Sequence, residues 1–332
     1  MRKKILIVTI TVAAGMLAGC GRTEKTPAET ETLSVSYDRE TDSLEQWQEQ
    51  LQTEGIDMPE KEAVRGVRIC REGETLFAVS YEPRSYKSSY DSWSISVPYE
   101  SWVSVDTEQL YNWFEQLEEL ALEPAESIPD DMGFSQKETS IFVAYYSGQT
   151  EDEAGQAEPD KAVLWQIGDA DGEGHYYIKS GTQNQIWLAD QKKIDDLFSV
   201  NPYDCVLKIA NAVNIGTVSQ VEADVQGETY CLELSEEGYR FNGKKMASEK
   251  AEELYTKCIS IFLEGEKDPG EEKGKCILSL TYHRNTEDAP EIVESFWEYG
   301  DNSVLLSVNG TEFFVAEKAA VEELIQAFET AG

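Results

Sequence analysis

The pattern in this sequence that comes closest to a metal site is the acidic run Asp169-Ala-Asp171-Gly-Glu173-Gly174. Oxygen-bearing side chains at its first, third and fifth positions and a glycine at its sixth match the start of a calcium-binding loop. The twelfth position is Ser180, where such a loop needs a glutamate with two ligating oxygens. The run also lies between two predicted strands, so we interpret it as an acidic hairpin turn.

Side chains used in acid–base catalysis are scattered along the chain. The two histidines, His175 and His283, have no partner at the spacing of a metal-binding motif. Adjacent carboxylates occur between apolar positions of three predicted helices, at Asp195-Asp196, Glu252-Glu253 and Glu322-Glu323. That phase places them on the solvent-facing side of each helix. We therefore expect no enzymatic activity, no metal and no cofactor.

An aromatic set is the best candidate for ligand binding. Its members are Tyr86, Tyr90, Trp93, Tyr99 and Trp102. Aromatic rings near polar groups can stack on sugars or peptides. The alternative is that Trp93 and Tyr99 belong to the core and that the tyrosines decorate a long hairpin.

The amino terminus has the layout of a secretory signal. A basic head at positions 2–4 precedes an apolar run at 5–17, which is shorter than the roughly 20 residues of a membrane span. Its ending, Leu17-Ala18-Gly19-Cys20, resembles the lipobox of bacterial lipoproteins. The resemblance implies a signal peptide over 1–19 and a lipid on Cys20, which would anchor an extracytoplasmic protein to the bacterial cell membrane. The alternative is an ordinary secretory signal.

Composition limits the partners. The 332 residues include 64 acidic and 28 basic side chains, a net charge of −36, which repels phosphate backbones and makes a nucleic-acid partner very unfavourable. Five cysteines follow Cys20, and their odd number and lack of a CxxC pair do not indicate a disulfide framework, although a single bridge stays open. They are Cys70, Cys205, Cys231, Cys258 and Cys276.

Strands and helices alternate after a flexible tether at 20–63. Apolar alternation predicts strands at 64–71, 75–81, 93–97, 139–147, 162–167, 175–180, 185–188, 215–225, 228–234, 238–241, 276–284, 292–299, 304–308 and 312–316. Asp106, Asp190 and Ser248 precede apolar stripes at helical period and are predicted N-caps. The stripe after Ser248 continues through Ile261 and Phe262.

The strand-to-helix junctions repeat a pattern. In each junction an apolar residue lies five positions, and another eight positions, after the first residue. The four junctions are 105–113, 189–197, 246–254 and 316–324. This indicates internal repetition. We predict an α+β fold of strand-strand-(strand)-helix units, with mainly antiparallel sheets and helices packed on one face. The units form two similar halves, 64–200 and 201–332.

This layout resembles the family filed as domain of unknown function 4340. The residues that carry the resemblance are Trp93–Pro98, Val105-Asp106, Ile128–Phe134, Ile167-Gly168 with Tyr176-Tyr177-Ile178, and Phe296–Tyr299 leading to Val308-Asn309-Gly310. The acidic segment 149–160, and Phe134 in place of the family's leucine, depart from its pattern. Family members are often envelope lipoproteins, some encoded near transporter components of the gliding-motility type. The resemblance implies a location and a partner but brings no catalytic residue.

We therefore expect a non-catalytic, lipid-anchored envelope protein that acts as a scaffold or accessory and binds another envelope protein, such as a transporter component. The alternative is a lipid-tethered module that binds an extracellular sugar or peptide through the aromatic set.

Overall fold

Two antiparallel sheets form the framework of the described residues. A computed structural model describes residues 43–53, 55–82, 92–99, 102–148, 158–181, 185–235, 238–286 and 289–331. These residues belong to one unit, Ser36–Gly332. Within them, no helix combines the length and the apolar character needed to cross a membrane.

The first sheet contains eight strands among the described residues. In chain order they are β1 (Val64–Arg71), β2 (Glu74–Tyr81), β3 (Trp93–Val97), β4 (Glu123–Pro124), β5 (Thr139–Tyr145), β6 (Lys161–Ala170), β7 (His175–Ser180) and β8 (Ile186–Asp190). Their spatial order is β3-β2-β1-β5-β6-β7-β8-β4. The helices of this half are α1 (Ser43–Gln50), α2 (Thr107–Glu118), α3 (Phe134–Lys137) and α4 (Gln191–Phe198).

Nine strands of the described chain form the second sheet. They are β9 (Val218–Val225), β10 (Glu228–Ser235), β11 (Gly238–Phe241), β12 (Lys244–Met246), β13 (Leu263–Glu266), β14 (Cys276–Arg284), β15 (Glu291–Tyr299), β16 (Ser303–Val308) and β17 (Phe314–Glu317), with helices α5 (Ser248–Cys258) and α6 (Lys318–Thr330). Their order is β12-β11-β10-β9-β14-β15-β16-β17-β13. Apart from the edge strand β12, the order within the half is that of the first sheet.

The α+β class with antiparallel sheets is confirmed. The helices form where the sequence places an apolar stripe behind a capping residue. Asp106 accepts a hydrogen bond from the amide of Gln109 at 3.2 Å and starts α2, and Asp190 accepts one from Lys193 at 2.9 Å and starts α4. Each such cap contributes about 1 kcal/mol to helix stability. The stripe of α2 buries Trp113, Phe114 and their apolar neighbours.

The prediction for α5 was wrong at both ends. Ser248 is the first helical residue, and Ala247 precedes it without a side-chain cap. The helix ends at Cys258, so Ile261 and Phe262 lie beyond it. Ile261 is buried, whereas Phe262 is 64% exposed. An extended segment satisfies the backbone there: Ala210 donates to the carbonyl of Ile261 at 2.7 Å.

Four of the helices share one core. The apolar faces of α2, α4, α5 and α6 pack with the inner faces of both sheets in one continuous cluster. The prediction that all helices pack on one face of the sheets is wrong for α1. This helix lies on the opposite, outer face of the first sheet. Its Leu44 is buried with Ala78, Phe142, Ala144 and Ala162. These four strand residues alternate with core residues, so they point away from the core.

The connection between the halves is hydrogen-bonded to both of them. Leu207 donates to Ser104 at 2.8 Å, and Asp106 donates to Cys205 at 2.8 Å. Further along, Leu263 donates to Lys208 at 3.2 Å. After a 3₁₀ helix at Pro202–Cys205, the connecting segment is therefore held by hydrogen bonds between the two halves.

Candidate functional site

Three predicted site residues lie outside the described part of the chain. They are Cys20, Tyr86 and Tyr90. The lipid attachment and the ligand-binding role of the two tyrosines stay predictions.

The structure divides the other members of the aromatic set. Trp93 is 2% exposed and belongs to the core of the first half. Its ring contacts Tyr81 and Phe114 edge to face, with centroids 5.5 and 5.2 Å apart. A ring enclosed in this way has no free face for stacking on a ligand.

Tyr99 and Trp102 contribute instead to a junction cluster between the halves. This cluster consists of Tyr99, Trp102, Tyr203, Phe313 and Phe314, with ring centroids 5.0 to 6.2 Å apart. The Tyr99 hydroxyl donates to Glu266 Oε1 at 2.6 Å. Burial, and then this hydrogen bond, raise the pKa of Tyr99. Tyr99 is 4% exposed, so its own ring offers no platform for a ligand, whereas Trp102 is half-buried.

The acidic run at 169–174 is a hairpin turn between β6 and β7. Asp171 Oδ1 accepts from the amides of Glu173 at 2.7 Å and His175 at 3.0 Å, and Asp171 Oδ2 lies 3.0 Å from His175 Nδ1. The amide of His175 is the main cause that lowers the pKa of Asp171. The carboxylate is thus occupied by its own turn. Across the described residues, no group of three or more suitable side chains could hold a metal.

The adjacent carboxylates lie where helical phase predicted. Glu252, Glu253, Glu322, Glu323 and Asp196 are exposed. Asp195 is half-buried and accepts from the Tyr176 hydroxyl at 3.1 Å. His283 Nδ1 lies 3.1 Å from Glu291 Oε1, so both histidines contact carboxylates that the spacing did not reveal.

The five cysteines of the described chain are free. Burial raises the pKa of Cys205 to about 11 and also raises that of Cys258. A buried thiol with a raised pKa is a poor nucleophile because little thiolate forms at neutral pH.

A buried acid that the sequence analysis missed lies in the second half. Glu294 is 0% exposed and follows the inward phase of Ile292 and Phe296 on β15. Its Oε2 accepts from the Tyr282 hydroxyl at 3.0 Å. Burial raises the pKa of Glu294 to about 8, against the opposing effect of that hydrogen bond. A glutamate in phase with core positions was the signal in the sequence. With no access to solvent, this group can hold a proton but cannot reach a substrate.

The outer face of the second sheet, opposite the buried face that carries Glu294, is accessible to solvent. Gln220, Glu222, Thr281, His283 and Val293 lie on it, between inward-facing residues of β9, β14 and β15. Cross-strand pairs such as Glu222–Thr281 and Thr281–Val293 order these side chains into rows. The side chains of Glu222 and Glu291 are 45% and 52% exposed.

Comparison of the chain with protein-family models, with curated proteins and with solved structures finds no match.

Proposed function

We propose that this chain is a non-catalytic, lipid-anchored protein of the cell envelope that binds another envelope protein. The anchor is the lipid on Cys20, supported by the basic head, the apolar run and the Leu17–Cys20 ending. The resemblance to the domain of unknown function 4340 family belongs to the same proposal, and it suggests a transporter component as the partner.

The outer face of the second sheet carries the binding part of this proposal. On the corresponding face of the first sheet, Ala78, Phe142, Ala144 and Ala162 are covered by α1 through Leu44 and Trp47. On the second sheet the described helices pack on the inner side alone. An open face with serine, threonine and carboxylate side chains on adjacent strands offers hydrogen-bonding groups at fixed spacing. Such groups fit the polar part of a protein interface.

The two halves are proposed to be copies of one unit. Apart from the edge strand β12, the two sheets have the same strand order within their halves. Each ends on a short strand, β4 or β13, that follows the first long helix of its half. Superposition of 167–188 on 292–316, each with its following helix, tests this. Segments that do not superpose would contradict it.

Site-specific photo-crosslinking in the native host tests the binding role. A crosslinking residue at Thr281 lies in the middle of the outer face, and one at Glu253 lies on the exposed side of α5. We expect Thr281 to form an adduct with one envelope protein and the Glu253 control to lack it. The same adducts at both positions, or no adduct at Thr281, would contradict the proposal.

The sugar- or peptide-binding alternative receives no support from Trp93 and Tyr99, since both are buried.

A further inference from the structure

Glu294 occupies a place in the core that a carboxyl group rarely takes. Glu294 lies on the interior strand β15. It pairs with Leu280 on β14 and with Val308 on β16, both of which are fully buried. Helix α5 contributes Cys258, whose carbonyl oxygen lies 3.3 Å from the same Tyr282 hydroxyl that binds Glu294. Glu294 thus lies beneath the last turn of α5, at the contact of this helix with the sheet.

The carboxyl is only half satisfied. Oε2 accepts from Tyr282, whereas Oε1 has no hydrogen-bond partner among the described residues. A hydroxyl has a single proton, and this one is shared between Glu294 and the Cys258 carbonyl. Removing a charged carboxylate from water without such partners is strongly unfavourable, so the neutral form is the one that fits this position.

The titratable groups around Glu294 come from two elements. Helix α5 contributes Tyr255 and Cys258, and β14 contributes Tyr282; burial raises the pKa of all three. Arg284 on β14 is the nearby cation, but it donates to the carbonyl of Ala289 at 2.8 Å and to Thr217 Oγ1 at 3.1 Å. Among the described residues no ion pair to Glu294 forms, so the hydrogen bond from Tyr282 is the contact that favours its ionised form.

We propose that opening of the contact between α5 and the second sheet is coupled to the release of one proton from Glu294. The closed contact holds the neutral acid, and an open contact exposes the carboxyl to water, where it ionises. The contact is therefore tightest in acid and loosens as the pH of the medium rises through neutrality. This inference rests on the packing of the second half and is independent of the lipid anchor and of any partner.

The direction of the pH dependence follows from the pKa of Glu294 in the closed and the open contact. In the closed state the pKa of Glu294 is about 8, and in the open state it returns to the ordinary value of 4.5. Between these values opening releases a proton, so the opening constant rises by up to tenfold per pH unit. Below pH 4.5 both states hold the proton, and above about 8 both have lost it, so the dependence flattens at each end.

Hydrogen exchange at several pH values tests the coupling on the full chain. The readout is the protection factor, corrected for intrinsic exchange, of the amides in the last turn of α5. In the wild type we expect protection to fall by up to tenfold per pH unit between about pH 5 and 8. Glu294→Gln should remove this dependence, whereas Glu253→Gln, an exposed change on the same helix, should keep it.

A second variant, Tyr282→Phe, should shift the pH dependence of opening to higher pH. The Tyr282 hydrogen bond favours the ionised form of Glu294, so Tyr282→Phe should raise the pH at which a carbon-13 signal of the Glu294 carboxyl titrates. This variant carries the test if Glu294→Gln does not fold. An unchanged pH dependence in Glu294→Gln, or a Glu294 carboxyl that titrates like exposed glutamates, would overturn the proposal.

Discussion

Gly66→Ala is expected to dislodge α1 from the outer face of the first sheet. Gly66 lies on β1, opposite Ser80 and Ala144. A β-carbon added there would come within 2.6 Å of Leu44 Cδ2 and 2.8 Å of Trp47 Cζ3. Real side chains do not approach this closely, so α1 must shift away from the sheet. An overpacked contact of this kind costs about 1–3 kcal/mol.

A cost of about 3 kcal/mol for Gly66→Ala would correspond to complete loss of the contact between α1 and the first sheet. Leu44 is fully buried, and its burial is worth about 1.5–3 kcal/mol. An eight-residue helix is not stable without tertiary contacts, so a displaced α1 should unfold locally. Urea unfolding measures the free energy of unfolding, and limited proteolysis measures the protection of Ser43–Gln50.

Gly265→Ala is the matched control. It also places a methyl group on a strand, but the nearest atom, Val315 Cγ2, is 3.9 Å from the new carbon. We expect a change within about 0.5 kcal/mol and no new cleavage. Equal stability of the two variants, with α1 still protected in Gly66→Ala, would refute the reasoning.

Further variants test the junction cluster and the non-catalytic proposal. Tyr99→Phe removes the donor to Glu266 and should lower the free energy of unfolding by about 1 kcal/mol in urea titrations; an unchanged midpoint would show that this bond adds nothing. His175→Gln with His283→Gln should keep the host phenotype, with only a small loss of stability from the contacts to Asp171 and Glu291. Loss of the phenotype in a folded, anchored double variant would contradict the non-catalytic proposal. Alanine at Glu252 and Glu253 should likewise keep the phenotype.

Local patterns were enough to predict several strands in both sheets. β1, β3, β7, β11 and β14 have the predicted bounds because their apolar alternation is visible in a short window. Three edge strands, β4, β12 and β13, were not predicted. Glu123 and Pro124 form a strand only because they pair with Leu188 and Trp187, far away in the chain. Such pairing leaves little trace in the local sequence.

The candidate site depended on contacts of still longer range. The aromatic set looked like one cluster because its members are close in the sequence. Phe313 and Phe314, which complete the junction cluster with Tyr99, lie more than two hundred positions away and have no pattern that links them to it. Glu294 was not predicted for a different reason: the alternation of β15 places it inward, but it has no adjacent carboxylate to mark it.

The most direct measurement of the central proposal is the mass of the amino-terminal peptide of the protein purified from host membranes. Trypsin cleaves after Arg22, so the mature lipoprotein should give the peptide Cys20-Gly21-Arg22 with the added mass of lipid. Cys20→Ala should remove both this peptide and the association with membranes. Recovery of residues 1–19, an unmodified Cys20, or a Cys20→Ala protein that still sediments with membranes would contradict the lipid anchor.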